Sequence, residues 1–140
     1  MEKRFFRYMR FVFMIGLISA IASLTQVTAA HAQCSSSATV TSNADSGSGS
    51  LRDALTAVCP DGTINFALAV PSTITLDSQL EVTQSVQIQG LGPGNLSVSG
   101  NGLTRVFQIS DTVAVTIDGL MIRDGAAPGS TGGGINNQGV

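Results

Sequence analysis

The chain reads as an all-β solenoid, a parallel β-helix, with one short helix near its start. Three observations support that reading. Beyond Gly62 apolar and polar residues alternate, and a helical period never returns. Turn-forming residues punctuate the same stretch: Asp61-Gly62, Pro71, Gly90 to Gly94, Gly100-Asn101-Gly102, Asp118-Gly119 and Gly125. One strand pattern also recurs. SVQIQGL (Ser85–Leu91) aligns with AVTIDGL (Ala114–Leu120), placing Val86 on Val115, Ile88 on Ile117, Gly90 on Gly119 and Leu91 on Leu120 at an offset of 29 residues. A period in this range marks coils that stack. The alternative is a sandwich of hairpins in which two strands resemble each other by chance. TITL (Thr73–Leu76) is a weaker echo of the same pattern.

Residues 1–32 read as a cleavable secretory signal. Lys3, Arg4, Arg7 and Arg10 stand against one acid, Glu2, before an uncharged apolar run from Phe11 to Leu24. Ala30-His31-Ala32 then supplies a small-x-small exit. The basic end stays in the cytoplasm, and cleavage after Ala32 leaves Gln33 as the new N-terminus. Cleavage after Ala29 or Ala30 is a close alternative. The apolar run is shorter than the roughly 20 residues of a spanning helix, which argues against an uncleaved anchor. His31 stands where a lipoprotein signal needs an aliphatic residue.

Removing the signal changes the chemistry of the chain. Arg52, Arg105 and Arg123 face seven aspartates and one glutamate, a net charge of −5. His31 is the only histidine, and residues 33–140 contain no Lys, Trp or Tyr. The commonest general base, the commonest zinc ligand and any lysine nucleophile are therefore missing. Nucleic acid is not an expected partner, because phosphate affinity needs clustered cations. Cys34 and Cys59 both lie in the exported part, where the compartment is oxidising, and we expect them to form a disulfide.

Residues 33–61 form the N-terminal cap region. Ser35 to Ser50 is mostly loop, with a short strand at Ala38–Ser42. In SLRDALTAVCP, Leu51, Ala54, Leu55 and Val58 fall at i, i+3, i+4 and i+7, one stripe of a helix of about two to three turns. Ser50 caps it, Asp53 completes a weak capping box, and Pro60 ends it. Residues 62–140 supply the coils. Their alternating sets are Ile64 to Val70, Ile74/Leu76, Leu80/Val82, Val86/Ile88, Leu96/Val98, Phe107/Ile109, Val113 to Ile117 and Leu120/Ile122.

Three stretches resemble a known family. GSLRDAL (Gly49–Leu55) resembles the CSLREA motif of large bacterial surface proteins; Ser50, Leu51, Arg52 and Ala54 match, while Gly49 and Asp53 replace the motif's cysteine and glutamate. Gly62 to Ile109 resembles the first coils of those proteins. GGGINNQG (Gly132–Gly139) is similar to the repeats of polymorphic outer-membrane proteins and related adhesins. The resemblance spans nearly all of residues 38–140. It implies a right-handed parallel β-helix of pectate-lyase-like architecture, exported and often held at the cell surface. It also implies that the short helix plugs the N-terminal end of the solenoid, where a sheet edge and an open core need cover.

Pectate-lyase-like folds often host polysaccharide enzymes, which need grouped carboxylates or calcium-bound acids with a catalytic arginine. The available groups are Asp111, Asp118 and Asp124 with Arg105 and Arg123. Their places at turns and strand ends read better as solvated rim charges, and fold alone does not license an enzyme. No residues point to a cofactor or metal. Gly90 to Gly94 lacks the spacing of a nucleotide loop, and GGGINNQG lacks the aspartates of a calcium roll. Asn136 and Asn137 read as the start of an asparagine ladder. Asn95-Leu96-Ser97 matches a glycosylation sequon, with little weight in a chain whose signal looks bacterial.

The expected function is a non-catalytic, adhesin-like or structural surface module. The alternative is the N-terminal part of a carbohydrate-active enzyme. Expected partners are surface glycans or a host or neighbouring cell surface, with membrane contact only through an uncleaved signal or a C-terminal anchor beyond Val140. The run GGGINNQGV reads as the opening of a further coil, so the chain is expected to be the N-terminal piece of a longer protein, and its last coil to self-associate. Intact mass of the exported protein is expected to begin at Gln33 and to rise on reduction by the two hydrogens of one opened disulfide.

Overall fold

The computed structural model describes residues 34–140; the signal segment and its cleavage site at Ala32 and Gln33 lie outside the described residues. Ten strands and one helix follow in the order β1 (Ser35–Val40), α1 (Leu51–Ala57), β2 (Val58–Phe66), β3 (Ser72–Thr75), β4 (Leu80–Val82), β5 (Val86–Gln89), β6 (Leu96–Ser99), β7 (Phe107–Ile109), β8 (Val115–Asp118), β9 (Met121–Arg123) and β10 (Ile135–Asn137). Every strand pairing is parallel. The strands form three sheets: β1-β2-β5-β8, β3-β6-β9 and β4-β7-β10. The chain visits the sheets in rotation, so β2-β3-β4, β5-β6-β7 and β8-β9-β10 are successive coils and β1 adds one more layer to the first sheet. The protein is a parallel β-solenoid of about four turns.

The recurring sequence pattern is the sheet register itself. Val86 pairs with Val115 and Ile88 with Ile117. Each inward residue therefore lies on its counterpart in the next coil: Ala38–Ile64–Ile88–Ile117 in the first sheet, Ile74–Val98–Ile122 in the second, Leu80–Phe107–Ile135 in the third. Ile64, Ile74, Leu80, Ile88, Val98 and Phe107 are wholly buried, each contributing on the order of 2 kcal/mol by leaving water. The echo in TITL proves to be different in kind. Thr73 to Thr75 belong to β3 and pair with β6 in the second sheet, not with the VQIQ strand.

Several boundaries differ from the sequence reading. The first strand is Ser35–Val40 and not Ala38–Ser42. Alternation from Ile64 does not hold to Val70: β2 stops at Phe66, and Val70 is 53% exposed in the following loop. The helix ends at Ala57, and Val58 is already extended, at φ −73° and ψ 145°. Pro60 therefore lies within β2 and does not itself terminate the helix.

Helix α1 is short, so its ends matter. Buried Ser50 accepts a hydrogen bond from the Asp53 amide at 3.2 Å. The Asp53 carboxylate reaches one residue further back than a capping box requires, accepting from the Gly49 amide at 3.1 Å. Leu51, Ala54 and Leu55 are buried and belong with Val58, Ile64 and Phe66 to one core cluster. At the other end, the Gln84 side-chain amide donates to the carbonyls of Leu55 (3.1 Å) and Val58 (2.6 Å), satisfying groups that a helix end leaves unpaired. Cys34 and Cys59 form a disulfide that closes 25 residues of sequence around the helix. A loop of that length corresponds to about 3.5 kcal/mol in the chain-entropy account.

Two glycines are demanded by close packing. Gly62 occupies the ladder position of Val86, yet a Cβ there would sit 2.5 Å from a methyl of Val58 and 2.8 Å from the Ser36 carbonyl. Val58 fills the place that Gly62 leaves vacant. Gly90 and Gly119 stack backbone on backbone at the exit of the first sheet, with the Gly92 amide donating to the Gly119 carbonyl at 2.6 Å, and a Cβ on Gly90 would collide with that carbonyl. Gly94, in the same turn, has open space around it. Gly90→Ala is expected to lower the melting temperature by several degrees, while Gly94→Ala leaves it unchanged or slightly raised; paired thermal melts test this.

Candidate functional site

Chemistry on a solenoid has to come from the outward side chains and the loops, because the inward positions are apolar. Of the five residues weighed for catalysis, the fold brings only Arg123 and Asp124 into contact. Asp111 is exposed between β7 and β8, and Asp118 is exposed at the outer end of β8. Asp124 follows β9 at φ 50° and accepts from Ser99 Oγ at 3.1 Å and from Arg123 at 3.0 Å. Among the described residues no group of three or more His, Cys, Asp or Glu is placed to hold a metal ion.

Both arginines are engaged in structural bonds. Arg105 donates to the carbonyls of Gly132 (2.8 Å) and Thr131 (2.8 Å), to Gln79 (3.0 Å) and Gln108 (2.6 Å) side chains and to Ser130 Oγ (3.2 Å). It ties the long β9–β10 loop to the third sheet. Arg123 lies across the second sheet, with its guanidinium 3.4 Å from both Ser97 Oγ and Thr73 Oγ1. The third arginine, Arg52, holds the helix to the first coil: it donates to the Ser78 and Gln79 carbonyls at 2.7 and 2.8 Å and pairs with Asp45 at 2.6 Å.

The three outer faces differ in how they satisfy their polar side chains. On the second sheet, Thr73 and Ser97 are bonded to each other at 2.9 Å and both meet Arg123. On the third sheet, register aligns Glu81, Gln108 and Asn136. Asn136 donates to Gln108 at 3.0 Å, and Gln108 meets Arg105 and Gln138. The ladder expected at Asn136 and Asn137 is thus a mixed column of carboxylate and amides. Asn137 instead accepts from the Gly139 amide in the following turn. On the first sheet two columns run along the solenoid: Ser37–Thr63–Gln87–Thr116 and Thr39–Asn65–Gln89–Asp118. None of these eight side chains is hydrogen-bonded to another described residue, and no buried polar side-chain atom lacks a partner, so their polar atoms meet solvent.

Past the ends of β1 and β2 lies a groove of about 580 Å³ lined by Thr41, Ser42, Asn43, Leu68, Pro71 and Thr73 among others. It offers hydroxyls and an amide, but no acid or base. This polar first face and its groove were not singled out by sequence. The signal was the outward half of each alternating strand, which becomes a surface only when the register is known. Comparisons with protein-family models, curated proteins and solved structures found no match.

The contrast between the arginines has a measurable consequence. Arg105→Ala removes a part-buried hub and is expected to cost about 2 kcal/mol or more. Arg123→Ala removes an ion pair whose side chains are 45% and 51% exposed and is expected to cost less than about 1 kcal/mol. Denaturant melts of the two variants decide it.

Proposed function

We propose that this chain is an exported, non-catalytic surface module, adhesin-like or structural, of the kind its CSLREA-like and GGGI-containing stretches resemble. The observation that supports it best is the engagement of Arg105. Its guanidinium is bonded to five partners of its own fold, and Asp111, Asp118 and Asp124 stand at turns and strand ends. A catalytic site needs groups free to meet a substrate. Export is supported by the basic-apolar-small pattern of residues 1–32 and by the Cys34–Cys59 disulfide, a bond typical of oxidising compartments. The expected location is the cell surface or the extracellular medium.

Purified exported protein is expected to release no reducing or unsaturated sugar ends from pectin, polygalacturonate or xylan. Release of such ends that is lost in Asp118→Asn or Asp124→Asn would overturn the proposal in favour of a carbohydrate-active enzyme.

A further inference from the structure

The outer face of the first sheet is built differently from the other two, and the difference points to a ligand. Its two columns hold eight polar side chains, seven of them uncharged, on a backbone fixed by parallel pairing. Along each column the spacing is that of neighbouring strands, about 4.8 Å, and within each strand the two side chains stand about 6.6 Å apart. Four strands make a platform about 15 Å long. On the second sheet Thr73, Ser97 and Arg123 bond one another, and on the third Arg105, Gln108 and Asn136 do so, while the polar side chains of the first sheet make no such bonds. Gln87, Gln89, Thr39 and Thr116 are exposed.

We propose that this face binds a neutral, extended polysaccharide laid along the two columns. This rests on the reading of the chain as a surface module and names the partner it holds. The chemistry selects the class. Amides and hydroxyls can each both donate and accept, as the hydroxyls of a sugar chain do. A nucleic acid needs cations, and the face has none. A protein partner is ordinarily anchored by aromatic residues, Met or Arg, and these are missing from the two columns. An acidic glycan meets a chain of net charge −5 with Asp118 at one end of the platform. The groove past the ends of β1 and β2 is lined by Thr41 and Ala67, each two residues beyond Thr39 and Asn65.

Depletion of the exported, full-length mature protein by insoluble cellulose, chitin and mannan, with immobilised polygalacturonate as the acidic comparison, tests the proposal. Retention on at least one neutral polymer, little changed between low and high salt, is expected. The double variant Gln87→Ala/Gln89→Ala should lose about tenfold in partition coefficient, while Glu81→Ala and Arg123→Ala, on the other faces, keep it. Thermal melts confirm that each variant is folded, and Thr116→Ala serves as a milder probe if the double variant is not. Failure of the wild type to bind any neutral polymer, preferential binding to polygalacturonate, or equal binding by the face variants would overturn it. Those results leave the surface-module proposal standing; that one fails separately, if sugar ends are released.

Discussion

Parallel in-register stacking is the constraint on which the rest of the structure depends. Once Ile64 lies on Ile88 and Ile88 on Ile117, every residue of a strand is assigned to the core or the surface, because side chains alternate with a period of two. A slip of one residue would move the whole inward ladder into water. The close approach of successive coils then dictates the turns. Gly90 and Gly119 follow from it, since the carbonyl of one occupies the space a Cβ of the other would need. So does Gly62, where the side chain of Val58 has already filled the inward site.

The same stacking leaves an end to be covered at β1. A helix of seven residues is too short to hold itself together, and its stability is borrowed from its surroundings. Leu51 and Leu55 enter the solenoid core, Gln84 satisfies its last carbonyls, and Arg52 ties it to the β3–β4 turn. The Cys34–Cys59 disulfide closes the covalent loop around it. Helix, turn and disulfide are thus tied into one unit, with the helix's apolar stripe in the core cluster.

Outside the core, the three faces show how alike backbones can carry different surfaces. Two faces are cross-linked by their own side chains, with Arg105 as a hub on the third sheet and Arg123 reaching Thr73 and Ser97 on the second. The first has no such hub, and its hydroxyls and amides stand in rows set by the ladder. Rigidity comes from the backbone beneath, so the rows are ordered without being bonded to each other.

The residues themselves determined the class of fold, the helix stripe at Leu51, Ala54, Leu55 and Val58, and the pairing of Val86 with Val115. These are local properties: a period, a stripe and one strong repeat. The coil lengths were hidden, because the connections vary. Ile64 and Ile88 are 24 residues apart, Phe107 and Ile135 are 28 apart, and Val86 and Val115 are 29 apart. Loops of different length between similar strands blur a repeat without disturbing the stack. Pro60 inside β2, the mixed column at Asn136, the hub at Arg105 and the free polar rows of the first sheet were decided only by tertiary structure. Each depends on which residue of a neighbouring coil lies alongside, and that neighbour is some 24 to 30 positions away in the chain.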